Sequence, residues 1–134
     1  MIGLDTNVLV RFIVKDDARQ AAAARRLVAR AVASGERILL QPIVLCELVW
    51  VLDTAYGFSR AEILDVLDRI ILAAEFETPS RDEIGLAVED YRARLGDFAD
   101  CVVGRLNEIA GAASTYTFDR GLRRHSAFSI VATE

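Results

Sequence analysis

Acidic residues recur in four short, widely separated segments of this 134-residue chain. The segments are LDTN at Leu4–Asn7, CEL at Cys46–Leu48, DFAD at Asp97–Asp100 and TFDR at Thr117–Arg120. Each sets a carboxylate beside apolar residues, near the predicted end of a strand or within a predicted helix. Carboxylates that gather in a fold repel one another and take raised pKa values unless a cation lies among them. Because the chain has a single histidine and a single lysine, a divalent metal ion is the best candidate for that cation.

Each of these carboxylates also has an ordinary structural explanation. Asp5 and Asp119 could simply cap helices that follow their strands. Glu47 has apolar neighbours at helical spacing, so it either lies on the apolar stripe or keeps its tip in water at the edge. Asp97 is placed as a helix N-cap, and Asp100 shares its face near the positive end of the helix dipole. The coincidence of these acids at strand ends and helix starts is what favours a shared site.

Composition indicates one globular domain spanning residues 1–134, with 53% apolar and 27% charged residues. The longest apolar stretch, Ile38–Leu52, is interrupted by polar residues and proline and is therefore not expected to span a bilayer. No basic leader precedes the first strand, so we expect a cytoplasmic protein without a membrane contact. The net charge of −4 argues against broad nonspecific nucleic-acid binding but leaves room for a local basic rim.

The remaining reactive side chains do not suggest a competing chemistry. Cys46 and Cys101 sit in apolar helical contexts without metal-ligand spacing, which predicts small buried hydrophobes with free thiols. His125 lies in a polar run and is expected on the surface. Hard carboxylate ligands without histidine or cysteine clusters favour Mg²⁺ or Mn²⁺ over zinc.

The pattern of elements predicts an α/β fold. Short apolar strands are expected at residues 2–4, 37–40, 76–78, 114–117 and 129–131. A turn follows Asp5, and helices are expected at about residues 17–34, 42–56, 59–73, 80–94 and 97–110, with a short one at 120–124. Ser59 and Ser80 each begin a capping-box pattern. Strands alternating with helices imply a parallel sheet covered on both faces, with sites beyond the carboxyl ends of the strands, where Asp5 and Asp119 fall.

Taken in order, the four segments resemble a PIN domain, most closely the VapC type of bacterial toxin. The resemblance covers essentially the whole chain and implies a three-layer α/β PIN-like domain, with a short central, mainly parallel sheet flanked by helices. It departs from the usual pattern at Gln41, where a serine or threonine commonly precedes the glutamate-bearing helix. By resemblance the acidic site consists of Asp5, Glu47, Asp100 and Asp119, with Asp97 as an accessory acid and Asn7 and Thr117 as polar supports.

The resemblance implies a metal-dependent endoribonuclease that hydrolyses RNA phosphodiester bonds with a water activated by Mg²⁺ or Mn²⁺. Asp5 and Asp100 would be the principal ligands, and Glu47 and Asp119 would complete the site directly or through water. Three arginines after the last acid either contact RNA phosphates or form an ordinary solvated face; they are Arg120, Arg123 and Arg124.

A partner is also implied, because VapC-type toxins are held inactive by a small antitoxin and usually form homodimers or toxin–antitoxin hetero-oligomers. A helix rich in small residues (Ala21–Ala24, Leu27, Val28 and Ala31) and the helix carrying Trp50 could line a groove for an amphipathic segment. Ordinary core packing is the alternative for both, and it is the one we expect for Trp50.

Other functions remain open to different degrees. A phosphatase of the haloacid-dehalogenase kind needs a second aspartate two residues after the first, where this chain has Asn7, and a downstream lysine, whereas the chain has only Lys15. A non-catalytic binding module predicts the loss of one or more acids, and all four are present. A PIN-fold nuclease acting in RNA maturation shares these acids and differs only in partner and substrate.

Overall fold

The computed structural model describes residues 1–133 and divides them into two compact units, Met1–Pro79 and a second that begins at Ser80. The first unit contains β1 (Ile2–Gly3), α1 (Thr6–Ile13), α2 (Ala18–Ala33), β2 (Ile38–Leu39), α3 (Pro42–Thr54), α4 (Arg60–Leu72) and β3 (Phe76–Glu77). The second contains α5 (Arg81–Arg92), α6 (Phe98–Ile109), β4 (Thr115–Thr117), a short 3₁₀ helix (Arg120–Leu122) and β5 (Phe128–Ile130). Nowhere in residues 1–133 is there a helix long and apolar enough to cross a membrane.

The three strands of the first unit form a parallel sheet in the order β1-β2-β3. Ile2 pairs with Ile38, and Ile38 pairs with Phe76. Parallel neighbours require crossover connections, and the four helices of this unit supply them. The predicted α/β class and parallel pairing are therefore confirmed for the first unit.

Helix α1 occupies the segment for which the sequence predicts only a turn. Asp5 is its N-cap, and the Asp5 Oδ1 atom accepts a hydrogen bond from the Val8 N–H at 2.9 Å. The helix buries Leu9 and Val10. Its β-branched and aromatic residues have modest helix propensity, so packing of this apolar face, rather than local preference, stabilises the helix.

The two predicted capping boxes have different outcomes. Ser59 and Glu62 form the box at the start of α4. The Glu62 N–H donates to the Ser59 hydroxyl at 3.2 Å, and the Ser59 N–H donates to the Glu62 carboxylate at 2.9 Å. The box predicted at Ser80 is wrong, because Ser80 has a left-handed backbone with φ of 57° and its side chain forms no cap hydrogen bond. An N-cap residue normally has an extended backbone, which is what directs its side chain to the third helical N–H.

Two helices and two parallel strands make up the regular structure of the second unit, apart from the 3₁₀ helix. Thr115 pairs with Phe128 and Thr117 with Ile130. Helix α6 packs closely against β5 at Gly104, where an added Cβ atom would lie 2.6 Å from Cε2 of Phe128. The approach of α6 to this strand therefore depends on the absence of a side chain at position 104.

A buried ionic network connects α5, α6 and the segment before β5. The Arg105 guanidinium donates to both carboxylate oxygens of Asp90, at 2.7 and 2.8 Å. The His125 Nε2 atom lies 2.9 Å from Asp90, and its Nδ1 atom accepts the Ala127 N–H at 3.1 Å. Since Nδ1 is an acceptor, Nε2 carries the hydrogen and donates to Asp90.

The same network corrects the prediction that His125 lies on the surface, because only 1% of the residue is exposed. Its polar sequence neighbours suggest solvent, but the carboxylate that accounts for its burial is 35 residues away in the chain. Burial alone would raise the pKa of Asp90, but hydrogen bonds from Arg105 and His125 and the charge of Arg105 lower it overall. Asp90 is therefore held as a carboxylate inside the unit.

Two helical glycines should respond oppositely to alanine. Gly104→Ala forces an added methyl group against Phe128, and overpacking of this kind costs about 1–3 kcal/mol. Gly85→Ala in α5 meets no atom within 4 Å and should stabilise the helix by about 0.5–1 kcal/mol through propensity. Urea unfolding of both variants measures these changes. Equal effects from the two substitutions would show that the α6–β5 approach is not tight.

Asp90→Asn should destabilise the protein by about 3 kcal/mol, because it leaves Arg105 partly buried without its carboxylate. Asp65→Asn is the matched control, since the Asp65–Arg69 pair is exposed and contributes little. The pKa of Asp90 is lowered on folding, so its stabilisation is complete above about pH 4 and is lost as the pH falls through the lowered value. The difference in free energy of unfolding between wild type and Asp90→Asn, measured from pH 3 to 7, should therefore be largest near neutral pH and should shrink toward pH 3. A difference independent of pH would contradict this account.

Candidate functional site

The predicted acids of the first unit, Asp5 and Glu47, are linked through Thr6. Asp5 follows β1 and Glu47 lies on α3; both are exposed. The Thr6 hydroxyl donates a 2.8 Å hydrogen bond to Glu47 Oε1. Because Thr6 is the residue after Asp5, this bond fixes the glutamate beside the carboxyl end of β1, where Asp5 also lies.

Thr6 is not among the site residues predicted from the sequence. The LDTN segment does contain its hydroxyl, which directly follows an acid and lies in the first turn of a helix. Asn7, which was predicted as a support, is exposed and borders the same groove as Asp5. Glu47 does not lie on the buried stripe of α3. Of the two positions considered for it, the one at the edge of the stripe with the carboxylate in water is therefore correct.

Three further acids, Asp97, Asp100 and Asp119, gather in the second unit. Asp97 occupies the N-cap position of α6, as predicted, but its side chain forms no cap hydrogen bond. Its carboxylate therefore does not cap the backbone N–H groups of the helix. Asp100, in the first turn, is half-buried. Burial raises the pKa of Asp100, and the negative charges of Asp97 and Asp119 raise it further.

Asp119 is held at the end of β4 by local hydrogen bonds. Its backbone N–H donates to the Thr117 hydroxyl at 2.9 Å, and its Oδ1 atom accepts the Gly121 N–H at 2.8 Å. Thr117, a predicted support, thus contacts the backbone of the acid it was expected to assist. The arrangement orients the Asp119 carboxylate and leaves Oδ2 outside these two bonds.

Within the described part of the chain, no basic side chain forms an ion pair with these carboxylates. The ion pairs found among residues 1–133 do not involve Asp97, Asp100 or Asp119. A half-buried acid with a raised pKa beside two like charges is electrostatically unfavourable by itself, and a bound cation would relieve the repulsion. The donors are all hard carboxylate oxygens, which suit Mg²⁺ or Mn²⁺.

A second group with metal-ligating atoms consists of Asp90, Cys101 and His125, whose donor atoms lie within 4.8 Å of one another. Its donors are already occupied: Arg105 holds both Asp90 oxygens, and both ring nitrogens of His125 are hydrogen-bonded. Burial, followed by the charges of Asp90 and Asp100, raises the pKa of the Cys101 thiol to about 12. This group is a structural network and not a metal centre.

The two cysteines have free thiols, as predicted. Cys101 is fully buried, whereas Cys46 is half-buried, and burial together with the Glu47 charge raises the pKa of Cys46 to about 11. Thiols with such pKa values carry almost no thiolate at neutral pH. Nucleophilic cysteine chemistry is therefore not supported.

An apolar groove of about 320 Å³ lies between α1 and α2. Arg11 is fixed at the groove by hydrogen bonds of 2.7 Å to Gln20, 2.9 Å to Asp16 and 3.0 Å to Tyr56. The lining consists of Asp5, Asn7, Val8, Arg11, Gln20, Ala23, Ala24 and Leu27. Of the predicted groove residues, Ala23, Ala24 and Leu27 therefore line it, while Ala21, Val28 and Ala31 belong to the core.

Trp50 corrects a further prediction. Core packing was expected, but 67% of the residue is exposed. Helix α3 is apolar on most of its circumference, so the sequence does not indicate which face it buries. The structure buries the face formed by Val44, Leu45, Leu48, Val49 and Leu52.

The three arginines that follow Asp119 are all exposed. Arg123 donates from Nη1 to the Arg120 carbonyl at 2.8 Å. Within the described residues, none of Arg120, Arg123 and Arg124 forms an ion pair with an acid. Their positive charge is therefore available to an external anion.

Comparison with known proteins agrees with this arrangement of elements. The PIN domain family matches residues 2–127, which span both compact units. A VapC ribonuclease from Aquifex aeolicus (strain VF5) is 25% identical over 121 residues, covering 90% of this chain and 89% of the relative. The PIN-like α/β fold class predicted from the sequence is thereby confirmed. The chain belongs to the PIN domain family.

Proposed function

We propose that this protein is a metal-dependent endoribonuclease and the toxin component of a toxin–antitoxin pair. The observation that carries the proposal is the acid cluster around Asp100, whose pKa is raised by burial and by two neighbouring carboxylates without a compensating cation. Membership of the PIN domain family and similarity to a protein named VapC ribonuclease support the same function.

The proposed ligands of Mg²⁺ or Mn²⁺ are Asp5, Glu47, Asp100 and Asp119, with Asp97 as an accessory acid. Their assignment to one site follows the order of the motifs and the resemblance they carry. When bound, such an ion activates water for hydrolysis and neutralises charge that develops on a phosphoryl oxygen.

The polar contacts around these acids suit a site built for cation binding. Thr6 holds one oxygen of Glu47, Val8 holds one of Asp5, and Gly121 holds one of Asp119. Fixed carboxylates lose little freedom on binding an ion, and outer hydrogen bonds of this kind tune the affinity. Thr117 would act by fixing the Asp119 backbone, and Asn7 by contributing polarity beside Asp5.

RNA phosphates would be met by the arginines after Asp119. Guanidinium groups bind phosphate through two parallel hydrogen bonds, and Arg120, Arg123 and Arg124 are exposed and free of acidic partners in the described chain. The proposal also includes a cytoplasmic location, where such RNA is found, and a homodimer or a toxin–antitoxin hetero-oligomer.

The apolar groove between α1 and α2 is the proposed seat of an antitoxin segment. It borders Asp5 at one edge and presents Arg11 and Gln20 at another, over a floor of alanine and leucine side chains. An apolar segment with an acidic side chain would match both the floor and the arginine. Occupation of this groove would cover the approach to Asp5.

Replacing Asp100 should abolish RNA cleavage. Asp100→Asn removes a ligand charge and should reduce the rate at least as much as losing an outer-shell partner, which costs roughly 10- to 100-fold. The measurement is cleavage of a mixed pool of structured and single-stranded RNAs with Mg²⁺, with Mn²⁺ and with chelator. Asp82→Asn is the matched control, since Asp82 is also a first-turn acid, on α5, and is exposed.

Metal-dependent cleavage by wild type and Asp82→Asn, but not by Asp100→Asn, would support the proposal. Cleavage that survives in Asp100→Asn, or in chelator, would mean that the acid cluster is not the catalytic centre.

Blocking the groove should release the enzyme from its antitoxin. Ala23→Glu places a charge on the apolar floor and should preserve cleavage while weakening inhibition by the product of a neighbouring antitoxin-like reading frame. Ala29→Glu is the control, since Ala29 is exposed on the same helix away from the groove lining. The measurement is cleavage by each variant as the antitoxin is titrated. Equal inhibition of both variants would place the antitoxin elsewhere, and no inhibition of wild type would favour an RNA-maturation nuclease.

A further inference from the structure

Two aromatic residues near Asp119, Tyr116 and Phe118, are unusually exposed. Each exposes 71% of its surface. The two threonines that alternate with them form hydrogen bonds instead. Thr115 accepts a 3.0 Å hydrogen bond from Asn107, and Thr117 accepts the Asp119 N–H.

Alternation along β4 explains this division. Successive side chains of a strand point to opposite faces, so the threonines share one face and Tyr116 shares the other with Phe118, just past the strand end. Across the described residues, neither ring belongs to an aromatic pair; the pairs found are Phe12–Phe76, Tyr91–Phe98 and His125–Phe128. Two large rings are thus presented to solvent within three positions of the chain.

Charged residues follow these rings directly in the chain. Phe118 directly precedes Asp119, whose charge raises the pKa of Asp100. The exposed arginines Arg120 and Arg123 follow within five residues of Phe118. A patch covered by an apolar protein surface would be expected to have aliphatic neighbours, whereas here the neighbours are threonines, arginines and an acid.

We propose that Tyr116 and Phe118 form a stacking platform for unpaired bases of a single-stranded RNA, while the adjacent arginines contact its phosphates. Exposed rings combined with cationic side chains are the usual means of holding single strands, because every base has a face that can stack. The platform lies next to Asp119, so stacked bases would position the neighbouring phosphate at the acid cluster. This inference rests on the proposed ribonuclease function and adds to it the two side chains that hold the RNA bases.

The test is equilibrium binding of a short fluorescein-labelled single-stranded RNA by fluorescence anisotropy, with a duplex of the same sequence in parallel. The full chain carrying Asp100→Asn is used with Mg²⁺, so that RNA is not consumed. Phe118→Leu and Tyr116→Leu keep apolar bulk but remove the ring, and each should weaken single-strand binding by roughly fivefold or more. Phe118→Tyr restores a ring and should bind like the parent. Trp50→Leu is the control, since Trp50 is similarly exposed on α3.

Further arms separate the alternatives. Abasic positions in the oligonucleotide should weaken its binding to the parent protein. They should have little effect on binding to the variant with both leucine substitutions, because that variant has already lost the rings on which bases would stack. Equal binding by the leucine variants and the parent, an equal loss in Trp50→Leu, or equal affinity for duplex RNA would overturn the platform. A change of oligomeric state in the leucine variants, measured by light scattering, would also overturn it by assigning the rings to a protein interface.

The proposed ribonuclease function is tested separately, by measuring RNA cleavage with the chain in which Asp100 is intact. Cleavage without ring-dependent binding would overturn the platform and leave the nuclease in place. Ring-dependent binding without cleavage would support the platform and count against the nuclease.

Discussion

The buried Asp90–Arg105 pair is the interaction on which the second unit depends. It joins α5 to α6 through two hydrogen bonds, and His125 extends it to the segment before β5. Isolated charges are not stable in a protein interior, so each member of this network requires the others. By fixing α6 to its neighbours, the network fixes the helix whose first turn carries Asp100. The close approach at Gly104 places the same helix against Phe128.

Asp90 and Asp100 lie in contrasting electrostatic surroundings. Both lose solvation, but Asp90 has a guanidinium and its pKa falls, whereas Asp100 has only like charges and its pKa rises. Hydrogen bonds to Asp119 and Glu47 then orient further carboxylates without neutralising them. Under the proposed function, the unpaired carboxylates are the ones that would bind a cation.

Much of this was predictable because the signals are local. The helix begun by Asp17, the box at Ser59 and the short parallel strands follow from residues within a few positions of one another. Helix α1 was missed because its β-branched sequence depends on burial of Leu9 and Val10. Ser80 was misjudged because its left-handed backbone is set by the chain around it and not by the Ser–Glu spacing.

The candidate site likewise combines features that local sequence predicts with contacts that only the fold creates. The site acids are proposed from their type and order, whereas two contacts come only from the fold: Thr6 binds Glu47 across 41 residues, and His125 binds Asp90 across 35. The LDTN segment shows the Thr6 hydroxyl but not its partner, and nothing in the sequence around His125 indicates Asp90. Exposure of Trp50 was likewise unpredictable, since α3 is apolar on both of its faces and only packing decides which is buried.

Titration of the protein with Mn²⁺, monitored by the electron paramagnetic resonance signal of the free ion, tests the central claim most directly. The account predicts that wild type removes Mn²⁺ from solution, that Asp100→Asn binds it much more weakly, and that His125→Ala retains binding wherever it remains folded. Equal binding by wild type and Asp100→Asn would contradict the account. Loss of binding only in His125→Ala would also contradict it, because the ion would then belong to the Asp90–Cys101–His125 group.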